Sequence, residues 1–176
     1  MVRVWISAVT MTLAVAGGAL ADDVLSPLSM NGIGPLKVGA QQEIVERYLH
    51  DKLPYNQYAN HGCSTVSTQQ LEPTGLSFML EKKILTRINV DYYGTDPRPL
   101  EIKTDTGVGL GSSEDDVRKA YPGAVVKPNP ADPTWHTIVM ETPDHTRGII
   151  FETDGKTVKS MRAGENPAIN YANGCN

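Results

Sequence analysis

The chain has 176 residues, with 16 Lys plus Arg against 20 Asp plus Glu, two cysteines and 40% hydrophobic residues. That length holds one ordinary domain or two very small ones, and a net charge of −4 leaves no positive surplus to grip a phosphate backbone. Nucleic-acid binding and a polybasic membrane-surface role are therefore excluded, and a mean hydropathy of −0.28 describes a soluble chain that is neither a membrane bundle nor disordered.

Residues 1–21 read as a secretory signal peptide. Arg3 supplies the positive start, residues 9–20 are mostly apolar, and Ala19, Leu20 and Ala21 form a small-x-small cleavage site. The apolar run meets Asp22 and Asp23 before it reaches the roughly twenty residues of a membrane span. Cleavage after Ala21 and a periplasmic or secreted location are expected, with no membrane anchor. Export would place Cys63 and Cys175 in oxidising surroundings, where a disulfide is the natural pairing. Such a bond ties the last residues to the first third of the chain, and the chain-entropy model assigns it about 4 to 5 kcal/mol. The alternative is a Cys63 nucleophile served by His61, for which no local signature is present.

The remaining chain reads as two related halves, residues 30–103 and 104–176. Leu36, Lys37, Val38 and Gly39 lead into a first helix at 42–49, where Ile44, Val45, Tyr48 and Leu49 form an apolar stripe. A strand is expected at 63–69. Strands at 74–80 and 83–90 follow, joined by a polar turn at Glu81 and Lys82, with Leu76, Phe78 and Leu80 alternating against Ser77 and Met79. Asp96, Pro97, Arg98 and Pro99 mark the joint between the halves.

The second half opens with Val108 to Gly111. Ser113 then precedes Glu114, Asp115 and Asp116, a cap and an acidic first turn, and Pro122 and Gly123 stop the helix. Residues 127–133, with three prolines, form an extended loop. A strand at 135–141 precedes a hairpin of 148–153 and 156–161 around Asp154 and Gly155, a strong hairpin signal. Gly39 matches Gly111 and Val45 matches Val117 at an offset of 72, while Gly75 to Phe78 matches Gly148 to Phe151 at 73. The expected fold class is α+β: two tandem repeats, each a short helix or helices followed by an antiparallel meander of three or four strands.

Catalytic and metal signatures are sparse. His50, His61, His136 and His145 form no HxH or HExxH pattern, so neither metal nor cofactor is expected. Gly107, Gly109 and Gly111 lead into a helix, but the Lys-Ser/Thr of a phosphate loop is missing and acids follow, so a tight turn is the better reading. Asp154 lacks the alternating oxygen ligands of a calcium loop, and no G-x-S-x-G occurs. The candidate binding residues are aromatics with polar tips: Tyr55 and Tyr58 ahead of Cys63, Tyr92 and Tyr93 at the end of a predicted strand, and Trp135 after the proline loop.

The Leu36–Gly39 segment before a helix and the Gly75–Phe78 segment before a hairpin carry a resemblance. The arrangement resembles the tandem helix-plus-meander repeat of the β-lactamase inhibitor protein fold. It is also similar to the single copy in the small lipoprotein subunit of the outer-membrane β-barrel assembly machinery. The tail from Tyr171 to Cys175 resembles that of uncharacterised exported proteobacterial proteins. The chain departs from the inhibitor's disulfide within each half, and it lacks the subunit's lipidated cysteine. The resemblance implies a non-enzymatic scaffold that binds another exported or envelope protein. The acid surplus lies in residues 104–176, which favours a basic surface on that partner. The alternative is a binder of a small ligand or cell-wall fragment between the two repeats; a hydrolase ranks last.

Overall fold

The computed structural model describes residues 26–58, 60–91, 101–172 and 174–175. Residues 1–21, the joint at 96–99, Tyr92 and Tyr93 lie outside them.

Strands β1 (Leu28–Ser29), β2 (Gly32–Ile33) and β3 (Leu36–Lys37) make a small antiparallel meander. Helix α1 (Gln42–Leu49) follows, then β4 (Cys63–Val66), β5 (Leu76–Glu81) and β6 (Ile84–Asp91). The second half contains α2 (Glu114–Ala120), β7 (Val125–Pro128), β8 (His136–Glu141), β9 (Arg147–Thr153) and β10 (Val158–Glu165). The seven longer strands form a single antiparallel sheet in the order β4-β5-β6-β10-β9-β8-β7. The fold is α+β, as the alternation of helix and strand patterns implied.

The two halves make the same bonds at the same offsets. Gly39 N donates to Leu85 O at 2.7 Å, and Gly111 N donates to Val158 O at 2.8 Å. Gln42 N donates to Lys83 O and Glu114 N to Lys156 O, both at 2.8 Å. Leu85 N reaches Ala40 O, and Val158 N reaches Ser112 O. Each set clamps the turn before a helix onto the first residues of β6 or β10. Gly39 and Gly111 take φ values of 91° and 83° in these turns, a region where a Cβ is strained, and this explains the glycine that ends each Leu/Val-x-x-Gly segment. A bulge recurs as well. Thr86 has no partner between the Met79–Arg87 and Leu80–Leu85 pairs, and Lys159 is skipped between Val158–Thr153 and Ser160–Glu152.

One core cluster joins Leu28, Ile33 and Leu36 of the meander, Val45 and Val117 of the helices, and Phe78, Ile88, Phe151 and Met161 of the large sheet. Helices and meander therefore cover one face of that sheet. Within the stripe of α1, Val45 is buried and Tyr48 and Leu49 are partly so, whereas Ile44 is 45% exposed. The meander β1–β3 and several boundaries differ from the sequence pattern, among them the last strand, which runs to Glu165 and not to 161. The strand at 63–69 stops at Val66, because Thr68 O accepts from Leu71 N and Glu72 N and turns the chain. Strand β5 starts at Leu76, since Gly75 closes a 3-10 turn at φ 76°. Residues 125–128, half of them assigned to the proline loop, pair with β8 as an edge strand, where Pro128 needs no outward partner.

Each half also buries one glutamate. Glu46 accepts from Gln42 Nε2 and Leu53 N and pairs with Lys52. Glu114, at the start of α2, accepts from Arg118, from His136 Nδ1 at 2.8 Å and from Thr153 Oγ1 at 2.8 Å, which pins the helix to β8 and β9. Cys63 and Cys175 are disulfide-bonded with Cα atoms 5.5 Å apart, and the bond fixes the last described residues to strand β4.

Two outcomes follow for stability. Replacing both cysteines, as in Cys63→Ser with Cys175→Ser, should lower the unfolding free energy in urea by about 3 to 5 kcal/mol, the range for a loop of this size. For Glu114, burial opposes the charged form, but hydrogen bonds from His136, Arg118 and Thr153 outweigh it and hold the carboxyl below its ordinary value. A depressed carboxyl contributes stability above the unfolded pKa of 4.5 and loses it as pH falls through the folded value. Glu114→Gln should therefore cost about 1 to 2 kcal/mol at pH 7. Its urea midpoints should converge on those of the unaltered protein as pH falls below that range.

Candidate functional site

Alternation along the two central strands sends Ile88, Val90, Met161 and Ala163 into the core. It sends Arg87, Asn89, Asp91, Ser160 and Arg162 to the opposite face. Strand register sets these polar residues side by side: Asp91 opposite Ser160, Asn89 opposite Arg162, and Arg87 opposite Gly164. Ser77 on β5 stands opposite Asn89, and Glu152 on β9 stands opposite Ser160. The polar strip thus crosses the junction of the halves. Gly164 is required there, because a Cβ would overlap the carbonyl of Thr86 and the backbone of Arg87.

The C-terminal residues pass over this face as a strap. After β10 the chain makes a 3-10 turn at Ala168–Asn170, and Ala168 packs with Cys63 and Met79 against Tyr171 and Cys175. Two arginines grip its carbonyls. Arg87 Nη1 donates to Ala168 O at 2.9 Å and to Tyr171 O at 2.7 Å. Arg162 Nε donates to Ile169 O at 2.9 Å, while its Nη1 pairs with Glu152 at 2.6 Å.

Between strap and sheet lies a cavity of about 550 Å³. Its lining combines Ser77, Arg87, Asn89, Asp91, Glu152, Ser160 and Arg162 with Ala172, Gly174 and Cys175 of the strap. Arg87 is only 4% exposed, and burial, reinforced by the charge of Arg162, pushes its guanidinium down to about 10. Its Nε–H has no acceptor among the described residues. Burial likewise pushes the Asp91 carboxyl above its ordinary value, against the pull of Arg162 and a hydrogen bond from Ser160. Asn89 Nδ2 donates to Ser77 Oγ at 3.1 Å. The site can hold a polar ligand by charge and hydrogen bonds from both halves.

The described aromatic candidates Tyr55, Tyr58 and Trp135 are not assembled into one surface. Tyr55 is half-buried, and its hydroxyl donates to Gly62 O at 2.7 Å, a bond internal to the loop before β4. Tyr58 is 88% exposed beside Gln42 and Lys83. Trp135, 37% exposed, precedes β8 near the other edge of the sheet. Tyr92 and Tyr93 fall outside the described residues. Cys63 is bonded to Cys175, so it holds no free thiol for a nucleophile. Among the described residues no group of three or more His, Cys, Asp and Glu is placed to hold a metal.

Sequence reasoning passed over Arg87, Asn89, Asp91, Glu152, Ser160 and Arg162. The available signal was the polar alternation inside Ile84–Asp91 and Val158–Glu165. It ordinarily marks a solvated face, and only the adjacency of the two strands turns it into a site. The chain matches no protein-family model, no curated protein and no solved structure.

Arg87 as the grip on the strap has a direct consequence. In Arg87→Met the amides of residues 166–172 should exchange with deuterium at least about tenfold faster, while those of β6 and β10 remain protected. Unchanged exchange in the strap would assign its hold to the disulfide and Arg162 alone.

Proposed function

We propose that this is an exported, non-enzymatic binding protein whose ligand occupies the cavity between the strap and the two central strands. The observation that carries the reading is the placement of four charged groups, Arg87, Asp91, Glu152 and Arg162, in one cavity of about 550 Å³ across the junction of the halves. Arg162 and Glu152 pair with each other, while Arg87 keeps its Nε–H without an acceptor and Asp91 has no ion-pair partner among the described residues. The volume falls in the range of small-molecule sites. Export is supported by the signal-like residues 1–21 and by the disulfide, and no helix among the described residues is long and apolar enough to cross a membrane.

A protein-binding scaffold, the role implied by the resemblance to the β-lactamase inhibitor fold, is the second reading. It is favoured by the exposure of Tyr58 on the side of the sheet where β4 lies. The partner would be another exported or envelope protein. Its contact would lie apart from the cavity's charged floor, since Tyr58 does not line it.

Thermal unfolding of the oxidised protein against a panel of amino acids, short peptides, sugars, wall fragments and inorganic anions separates the two. At a hundredfold excess over Kd a cavity ligand should stabilise the fold by about 2.7 kcal/mol, and Asp91→Asn should reduce that shift. A panel without any stabilising compound, or a shift unaffected by Asp91→Asn, overturns the cavity reading.

A further inference from the structure

The cavity is electrically divided along the strands. On β6, Arg87, Asn89 and Asp91 occupy alternate positions of one face, so the outer two lie about 13 Å apart at roughly 3.3 Å per residue. Asp91 and Glu152 flank Ser160 from the strands on either side of it, Asp91 at the end of the strip and Glu152 reaching toward the middle to pair with Arg162 at 2.6 Å. Arg162, opposite Asn89, occupies the middle, and Arg87 the other end. The four formal charges cancel, so neither a simple anion nor a simple cation suits the whole cavity. A ligand carrying one charge of each sign does.

Two of the groups have bonding capacity left. No acid stands within ion-pair distance of Arg87, and no base within that distance of Asp91, among the described residues. Arg87 also keeps its Nε–H without an acceptor. Apart from Glu152, which pairs with Arg162 at 2.6 Å, the groups that occupy the arginines are peptide carbonyls, those of Ala168, Ile169 and Tyr171 in the protein's own strap. Peptide chemistry therefore already fits this face. Among the described residues no aromatic ring lines the cavity to stack against a sugar.

We propose that the cavity binds a short peptide zwitterion, its ammonium group between Asp91 and Glu152 and its carboxylate toward Arg162 and Arg87. This rests on the cavity being the ligand site, and it adds the ligand's class and direction. Length follows from spacing. Asp91 and Arg162 are diagonal neighbours about 7 to 8 Å apart, and Arg87 lies about 13 Å along the strand from Asp91. An extended peptide advances about 3.3 to 3.6 Å per residue, so about two residues span Asp91 to Arg162 and about four span Asp91 to Arg87, and a single amino acid reaches neither.

Calorimetric titration with trialanine at low ionic strength tests the assignment, using N-acetylated and C-amidated trialanine as controls. Free trialanine should bind, and either cap should weaken binding at least tenfold. In Asp91→Asn, whose thermal midpoint serves as the folding control, the acetyl cap should weaken binding much less. If that variant does not fold, Glu152→Gln takes its place and should show a reduced penalty for the acetyl cap. A capped peptide that binds as tightly as the free one overturns the assignment, as does an acetyl penalty that is the same in variant and unaltered protein. Failure of trialanine while another compound stabilises the protein through Asp91 overturns the peptide assignment and leaves the cavity reading standing. A panel with no stabilising compound removes both.

Discussion

The pairing of β6 with β10 is the constraint on which the rest depends. Five residue pairs, from Asp91–Ser160 to Arg87–Gly164, join the last strand of each half. The register is centred on Asn89 and Arg162, which oppose each other and are also related by the offset of 73. Without this junction each half would expose a long strand edge beside a thin core, an arrangement prone to association and only marginally stable. With it, Ile88, Val90, Met161 and Ala163 meet in one core under both helices. The close approach of the strands is visible at Gly164, where no side chain fits.

The same junction creates an electrostatic demand. Residues that alternate with the core positions are forced to the other face, and two arginines and two acids thereby stand in the middle of a wide sheet. Removing a guanidinium from water is costly unless its donors are satisfied. The strap meets part of that demand, since three of its carbonyls accept from Arg87 and Arg162. A segment at the chain terminus is ordinarily prone to fraying, and here guanidinium bonds and the Cys63–Cys175 disulfide hold it from opposite ends. What they leave between strap and sheet is a polar cavity with unspent hydrogen-bonding capacity. The binding function proposed for it is thus tied to how the halves are joined, rather than to either half alone.

The halves share a plan and differ where each anchors its helix. Gln42 and Glu114 occupy matching positions at the start of α1 and α2. In the first half the glutamine donates to Glu46 one turn later. In the second, the glutamate itself gathers Arg118, His136 and Thr153, and so binds helix to sheet directly. The second half also has the additional strand β7, whose Val125 is exposed at the edge.

Local features were legible in the residues themselves. Apolar periodicity located the first helix, the Ser113 cap with its acidic first turn located the second, Asp154 and Gly155 located their hairpin, and the paired cysteines located the disulfide. Each of these depends on neighbours in sequence or on a pairing with one possible solution. The strand limits at Val66, Gly75 and Val125 were not legible, because turn hydrogen bonds and edge pairing decided them against local pattern. The site was the least legible part. Arg87, Asn89 and Asp91, like Ser160 and Arg162, have in sequence the period-two pattern of a solvated strand face, and nothing local distinguishes them from one. Sequence alone thus determined both helices, most strands of the large sheet and the cysteines available for pairing, whereas the β1–β3 meander had no local signal. Tertiary structure alone decided that β6 and β10 are neighbours and that the tail crosses them. Strand adjacency over seventy residues is settled by which edges bury most when the whole sheet closes up, and no local preference encodes it.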